Sequence, residues 1–517
     1  MRFLPAGEQA ILVEMDDLPQ VLALHAKLNA APPPGLCEMI PAARTLFLRF
    51  DPALTDAAGL ARAVLDAETA PVPNRAGRRV SIPVCYDGPD LDEVAALTGM
   101  SRDEVIARHS GTPWRAAFGG FAPGFCYLTG GDPALDVPRR STPRRAVAVG
   151  SVGLAGAFSG VYPQASPGGW QLIGRTSLPM WDLGGDPPAA VQPGDEVQFL
   201  PCESLPEPPP PPARQAQPQG PGLLVLAAGL PALFQDLGRP GLAAQGIGRS
   251  GAADRAALRE ANRLVGNPPG SAAIEITAPL HLRAECAAVL AVSGAARLLL
   301  NDRTALPAGQ AFALDPGDEL RITPESGVYA YLAARRGFDV APVLGSAARD
   351  TLAGIGPAPL VVGDRVGLGA GHADAVGLPS LAPAPTPPAV IDVPVTLGPR
   401  ADWFDAETLA RFLAQDWQVS PRISRIGTHL SGEPLTRRDQ AELASEATPR
   451  GAIQIPHSGL PVLFLADHPV TGGYPVIAVI ADAALDRVAQ AAPGTTLRFH
   501  ARSGFAPITP SPRSPAR

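Results

Sequence analysis

Lysine is almost missing from this chain: of 42 Lys and Arg residues, Lys27 alone is lysine. A Walker A phosphate loop, a Schiff base and a biotin attachment site each require a lysine in a defined context. Lys27 lies in VLALHAKLNA, whose apolar spacing predicts an amphipathic helix, so it belongs to none of them and reads as a solvated helix lysine. Cysteine is also sparse. Cys37, Cys85, Cys126, Cys202 and Cys286 form no CxxC pair, and the eight histidines do not fall at metal-ligand spacing. That argues against a disulfide frame or zinc site, and no metal is expected on the chain. Aromatic residues make up only 5%. A formal charge of -7 disfavours nucleic acid as the main partner, since phosphate binding needs a basic surface. No run of 18 apolar residues occurs, so no membrane span is expected. Acidic residues enter the first stretch, MRFLPAGEQAILVEMDD, too early for a secretory signal, which predicts a cytoplasmic protein.

Glycine and proline are plentiful, at 54 and 61 in 517 residues. The length calls for several domains, and this composition suits many short strands and turns. In residues 1–78, Ile11–Val13 reads as a strand, Leu18–Ala30 as a helix, and Leu36–Ile40 with Thr45–Phe50 as a hairpin. Asp56–Ala67 reads as a second helix with Thr55 as N-cap. The predicted fold class is mainly β with α+β: a small N-terminal α/β domain followed by repeated β-barrel domains.

The repeats are visible in the residues. Gln192-Pro-Gly-Asp-Glu-Val-Gln-Phe199 returns as Asp315-Pro-Gly-Asp-Glu-Leu-Arg-Ile322 and, more weakly, as Ala492-Pro-Gly-Thr-Thr-Leu-Arg-Phe499. Proline presets one turn dihedral and glycine supplies the positive one, so each copy starts a strand. Pro143–Val149 followed by Gly168–Gly174 is echoed by Pro449–Ile455 followed by Gly472–Ala478. Three related barrel-like units are inferred, near 79–203, 222–330 and 390–510. Residues to 389 complete the second, and a proline-rich spacer at 204–221 separates the first two.

Several segments suit chemistry. Gly119-Gly-Phe-Ala-Pro-Gly-Phe-Cys-Tyr127 contains Phe121, Pro123, Gly124 and Phe125. It either lets a ligand approach the main chain beside an apolar wall or turns a barrel corner. The Gly150–Gly156 stretch, with Ser151 and Gly153, fails as a P-loop but exposes successive N–H groups if it turns. Trp170 offers a platform, and Arg175, next to Thr176, offers either a bidentate anion ligand or a surface ion pair. Arg239 and Ser250 stand by glycine turns, and Asp254 either acts in a site or caps the helix Arg255–Val265. Asp467, His468 and Thr471 supply an acid, an imidazole and a hydroxyl.

These phrases carry a resemblance. Leu4-Pro-Ala-Gly-Glu, His109, Gly120–Phe125, Gly150–Gly156, Tyr162-Pro163, Ser166–Trp170 and Gly174-Arg-Thr176 resemble the B component of bacterial ATP-dependent 5-oxoprolinase, also described as a kinase-inhibitor or allophanate-hydrolase subunit 1 family. Gln235–Arg239, Ser250-Gly251 with Asp254, Ala261-Asn262, Gly266-Asn267, Leu344-Gly-Ser346, Ser445-Glu446, Gln454 and Thr471-Gly-Gly-Tyr-Pro475 are similar to the C component of the same enzyme. Ala253 stands where Met is usual and Arg400 where Gln is usual, and Gly354–Pro359 lacks a Gly-Gly-Arg phrase.

The resemblance implies cyclophilin-like barrels and a lactam hydrolase that opens 5-oxo-L-proline to glutamate with ATP and Mg2+, in complex with a separate LamB/YcsF-type A subunit. It leaves room for a homo-oligomer. Catalytic roles are expected among Asp254, Asp467 and His109, and substrate contacts among the glycine and aromatic residues named above together with Arg175, Arg239, Gln454, Thr471, Gly472, Gly473 and Tyr474. Two other activities share the resemblance: the carboxyltransferase part of a biotin-dependent urea carboxylase, with its biotin on another chain, and a non-catalytic histidine-kinase inhibitor. The catalytic reading requires the two glycine-lined barrel surfaces to shape one cleft.

Overall fold

The computed structural model describes residues 1–67, 77–140, 142, 144–206, 220–380, 388–438, 441 and 443–512. Most of the proline-rich spacer, at 207–219, lies outside the described residues, as do 68–76 and 381–387. No helix among those described is long and apolar enough to cross a membrane.

The first domain contains β1 (Arg2–Pro5), β2 (Ala10–Glu14), α1 (Leu18–Ala30), β3 (Leu36–Pro41), β4 (Thr45–Phe50) and α2 (Ala57–Ala67), with sheet order β1-β2-β4-β3. Both faces of the sheet are covered, which explains the unbroken apolar run in β2. Ile11 and Val13 pack on the helices with Val21, Leu24 and Leu60. Ala10 and Leu12 face the other way with Phe47, toward Ala447 and Val470 of the last domain. The cap of α2 is corrected: Asp56, not Thr55, accepts the Gly59 N–H at 2.7 Å.

The second domain comprises β5 (Arg79–Val84), α3 (Leu91–Thr98), α4 (Arg102–Gly111), β6 (Trp114–Gly119), β7 (Cys126–Thr129), β8 (Arg144–Val147), β9 (Ser151–Ala155), β10 (Phe158–Val161), β11 (Ser166–Gly168), β12 (Gln171–Arg175) and β13 (Glu196–Pro201). Its main sheet runs β12-β9-β10-β7-β6-β13-β5, and a bridge between Cys85 and Arg175 joins the two ends. β8 and β11 form a separate pair.

The middle domain folds differently. Its strands are β14 (Gly222–Ala228), β15 (Leu233–Gln235), β16 (Ala273–Ile276), β17 (Leu280–Ala284), β18 (Ala288–Ser293), β19 (Ala296–Leu300), β20 (Thr304–Leu306), β21 (Ala311–Leu314), β22 (Glu319–Pro324), β23 (Ala330–Ala334) and β24 (Arg365–Gly367), with α5 at Arg255–Val265. They make two sheets, of six and five strands, around one apolar core. Neither sheet repeats the order of the second domain, so two of the three expected units share one topology and the third shares only its turn.

The last domain holds β25 (Val390–Leu397), α6 (Ala406–Ala414), β26 (Trp417–Ile423), β27 (Gly427–Ser431), β28 (Glu446–Ala447), β29 (Ala452–Gln454), β30 (Val462–Phe464), β31 (Thr471–Gly472), β32 (Val476–Ile480), α7 (Asp482–Ala489) and β33 (Thr496–Ala501). It closes as β25-β32-β29-β30-β27-β26-β33, the order of the second domain strand for strand. In each barrel the first and last strands pair in parallel. Each sets aside a two-stranded ribbon, β8–β11 or β28–β31. In each a tryptophan indole donates at 3.0 Å to the carbonyl five residues back, Trp114 to His109 and Trp417 to Phe412. This is an internal duplication of a mainly β, barrel-forming unit.

All three Pro-Gly turns adopt one conformation, with φ of 97°, 95° and 90° at Gly194, Gly317 and Gly494. The second echo needs a correction. The residues before Val149 lie on the ribbon strand β8, whereas Pro449–Ile455 leads into barrel strand β29, whose counterpart is β9. The structural match is Gly150 with Gly451, both at positive φ.

Candidate active site

The two glycine-rich loops do meet. The Phe121 N–H donates to Thr471 Oγ1 at 2.8 Å, and Arg139 donates to Ser445 Oγ at 3.0 Å, beside the Tyr127 hydroxyl at 3.1 Å. A Cβ on Gly472 would stand 2.8 Å from Gln454 Nε2, and one on Gly473 2.5 Å from Arg139 Nη1. Gly473 lets barrel approach barrel, and Gly472 makes room for Gln454 of its own barrel. Phe125, Tyr127, Tyr162 and Trp170 pack edge to face at 5.1–5.6 Å inside this junction, with Pro123 and Gly124 buried beside them. The expected ligand wall is therefore an interdomain core, which corrects the single cleft expected between the two glycine-lined surfaces, and Tyr474 is half-buried against His457.

Other expectations are also corrected. The Gly150–Gly156 stretch is no oxyanion cradle: its Gly150 and Gly156 N–H groups are taken by the Tyr162 and Val137 carbonyls at 2.8 and 2.7 Å, and Ser151 and Gly153 are buried in β9. Arg175 is on the solvent side, paired with Asp87 at 2.9 Å, and neighbouring Thr176 accepts the Leu178 N–H. Asp254 caps α5 through the Ala257 N–H at 2.8 Å and also accepts from Gln490.

His109 is wholly buried, stacked on Phe199 at 4.3 Å, with its ring nitrogens 2.7 Å from the Tyr86 hydroxyl and 2.8 Å from Ser159 Oγ. Burial pushes its pKa down to about 3, so it stays neutral and sheltered. Its counterpart, Phe412, stacks on Phe499 in the same way. His109→Phe is therefore expected to leave catalytic activity unchanged. It should lower stability by about 1–3 kcal/mol, because Ser159 and Tyr86 lose a buried partner. Urea denaturation alongside an activity assay checks this, and lost activity in a stable variant would restore a catalytic role.

Asp467 is also buried, within a charged network. Arg425 binds it through Nε at 2.8 Å and Nη2 at 2.9 Å, and binds Glu275 through Nη1 at 2.5 Å. Ser250 Oγ donates to Asp467 at 2.6 Å, and the Thr351 N–H and hydroxyl donate at 2.8 and 2.7 Å. Burial pushes this carboxyl up, but Arg425 outweighs it and holds the group below its ordinary value. Both Asp467 oxygens are thus engaged, which suits a structural anchor between the middle domain and the last barrel.

The chemistry-bearing hollow lies elsewhere. A cavity of about 190 Å3 opens between the N-terminal sheet, the 237–255 segment and the last barrel. Its floor is apolar, formed by Ala10, Ile40, Phe47, Ala243 and Val470. Arg49, Arg249, Arg255 and Arg450 line it, against the carboxylates of Glu8, Glu38 and Asp482. Arg49 pairs across strands with Glu38 at 3.3 Å, and Arg255 pairs with Asp482 at 2.9 Å. Arg249 makes one hydrogen bond among the described residues, from Nε to the Leu237 carbonyl at 3.2 Å. Burial, then the like charges of Arg49 and Arg255, lower its pKa. Burial and Arg255 likewise bring Arg450 to about 10. Guanidinium groups held together at the edge of an apolar hollow are poised for an anion.

Ser250 is the predicted site residue that lines this cavity, held at φ 54°. Arg239 is buried, with Nη2 on the Ala348 carbonyl. Arg249 adjoins the predicted Ser250, but Arg49 and Arg450 escaped the sequence reading as site residues: they come from separate domains, Arg49 sits in no motif, and Arg450 lies in a repeat read only as a strand.

The duplicated seven-stranded barrel belongs to a chain of the carboxyltransferase-domain class: residues 1–191 match the carboxyltransferase domain, subdomain C and D, and residues 245–501 match subdomain A and B. It is 39% identical over 206 residues to the 5-oxoprolinase B component of Escherichia coli O157:H7, covering 38% of this chain and 93% of that protein. It is 34% identical over 282 residues to the 5-oxoprolinase C component of Escherichia coli K12, covering 54% and 90%. The crystal structure of TTHA0988 superposes with a TM-score of 0.83 at 35% identity, over 95% of this chain and 99% of that one. The chain belongs to the family of 5-oxoprolinase B and C components, carried here in one polypeptide.

Proposed function

We propose that this chain is the B–C component of an ATP-dependent 5-oxoprolinase and that the arginine-lined cavity holds 5-oxo-L-proline. The carrying observation is the convergence of guanidinium groups on one apolar floor: Arg249, exposed at the cavity, stands beside the like charges of Arg49 and Arg255. A five-membered ring suits the floor, and its carboxylate suits the guanidinium groups. Cavities of roughly 150 Å3 admit a benzene-sized ring, so about 190 Å3 fits a small lactam and not a nucleotide. ATP then acts from outside the enclosed volume, with a LamB/YcsF-type A subunit supplying the rest of its site. Mg2+ enters with the phosphates of the nucleotide, the usual mode for this ion. ATP is required because the lactam is stable: phosphorylation of its oxygen makes the carbonyl carbon open to water.

The test is co-purification with such an A subunit, followed by glutamate release from 5-oxoproline. Release that needs ATP and both components is expected. Absence of release, or activity that needs biotin and urea, would replace this reading with the carboxyltransferase one.

A further inference from the structure

Behind the cavity wall at Gly248 lies a carboxyl that no motif announces. Gly248 lines the cavity, and a Cβ built there would stand 3.5 Å from Asp350 Oδ2 and 3.6 Å from the His468 carbonyl. Because position 248 is glycine, no side chain at that position of the wall covers the carboxyl. Asp350 is itself buried, and its Oδ1 is held by the Leu352 and Ala353 N–H groups at 2.9 and 2.8 Å. Oδ2 takes no hydrogen bond from the described residues, so one oxygen is fixed and the other is open for a ligand.

We propose that Asp350 is the proton acceptor for a lactam bound in the cavity, reaching its ring N–H past Gly248. This rests on the substrate reading above. When the lactam oxygen takes the γ-phosphoryl group of ATP, an O–P bond forms and the bond to the ADP oxygen breaks. The ring N–H proton passes to the Asp350 carboxylate, leaving an O-phosphoryl imidate, ADP and a protonated Asp350. Water then adds to the imidate carbon, and the C–N bond breaks to leave an acyl phosphate. The Asp350 proton passes to the departing nitrogen, which becomes the glutamate ammonium group, and a second water releases phosphate and the side-chain carboxylate. A carboxyl suits this only if it is basic enough near neutrality. Burial, then Asp467, push Asp350 up to about 7, against the Ala353 N–H, Arg239 and Arg425. Arg349 and the Arg239 neighbour Asp236 complete the charged surroundings.

The sign follows. The base works ionised, so kcat/KM should rise with pH through about 7. An N–H donor favours the carboxylate, so binding 5-oxoproline near pH 7 should release protons. Calorimetry of 5-oxoproline binding to the full chain, in buffers of different ionisation enthalpy, reads this directly. Asp350→Asn should bind the lactam without proton release, and in the complete ATP-dependent complex its kcat should fall about 10²–10⁴-fold and lose the acid limb. Unchanged proton release in Asp350→Asn overturns the inference and leaves the substrate assignment standing. No binding by the wild-type chain overturns both. If Asp350→Asn fails to fold, Gly248→Ala decides: its methyl meets only ordinary contacts but occupies the path to Oδ2. It should lower kcat with the fold intact, and unchanged kcat overturns the inference.

Discussion

Arg425→Met is expected to destabilise the C-terminal half by about 3–5 kcal/mol, the usual result of removing one partner from a buried ion network. The side chain joins three segments: Asp467 from the last barrel, Glu275 on β16 of the middle domain, and the Gly251 carbonyl at 2.6 Å. Asp467 and Glu275 are each 1% exposed, so water cannot replace the lost guanidinium. The pH dependence distinguishes this account from simple loss of packing. In the wild type, Asp467 has its pKa held below the ordinary value. Its stabilisation is present above the unfolded carboxylate pKa and disappears as pH falls through the folded one. In Arg425→Met, burial is opposed only by the Ser250 and Thr351 hydrogen bonds, so the pKa rises relative to the wild type and the deficit should grow as pH rises. Urea unfolding at pH 5 and pH 8 checks this: the deficit should be larger at pH 8. A deficit equal at both values would show that charge compensation is not the cause.

The largest functional effect short of the proton acceptor is expected from Arg249→Ala. A hydrogen bond to a charged group contributes about 1.5–3 kcal/mol, so affinity for 5-oxoproline should fall roughly 10–150-fold. Stability should change little or improve, because the substitution relieves repulsion from Arg49 and Arg255 in the empty cavity. That divergence is the test: weaker binding by calorimetry with an undiminished unfolding midpoint. Unchanged affinity would place the carboxylate elsewhere.

Arg400 shows how one buried side chain can tie the first domain to the last. It is accepted by Glu446 and by Glu14 of the N-terminal sheet at 2.6 Å. Nothing next to it in sequence foretells these partners, which lie 46 and 386 residues away.

The chain alone determined most of its local structure. The limits of α1 and β4, the three Pro-Gly turns and the repeated character of the barrels could be read because each is written in residues adjacent along the chain. Family membership was legible for the same reason. Glycine and aromatic residues could not announce their roles, since an open ligand wall and a packed interdomain core draw on the same residue types. His109 and Asp254 have the chemistry of catalysts, and only burial and hydrogen bonding reveal the first as a core residue and the second as a helix cap. The arginine-lined cavity was decided wholly in three dimensions. Arg49, Arg249 and Arg450 become neighbours when three segments fold together, and charge converges through space without regard to spacing along the chain.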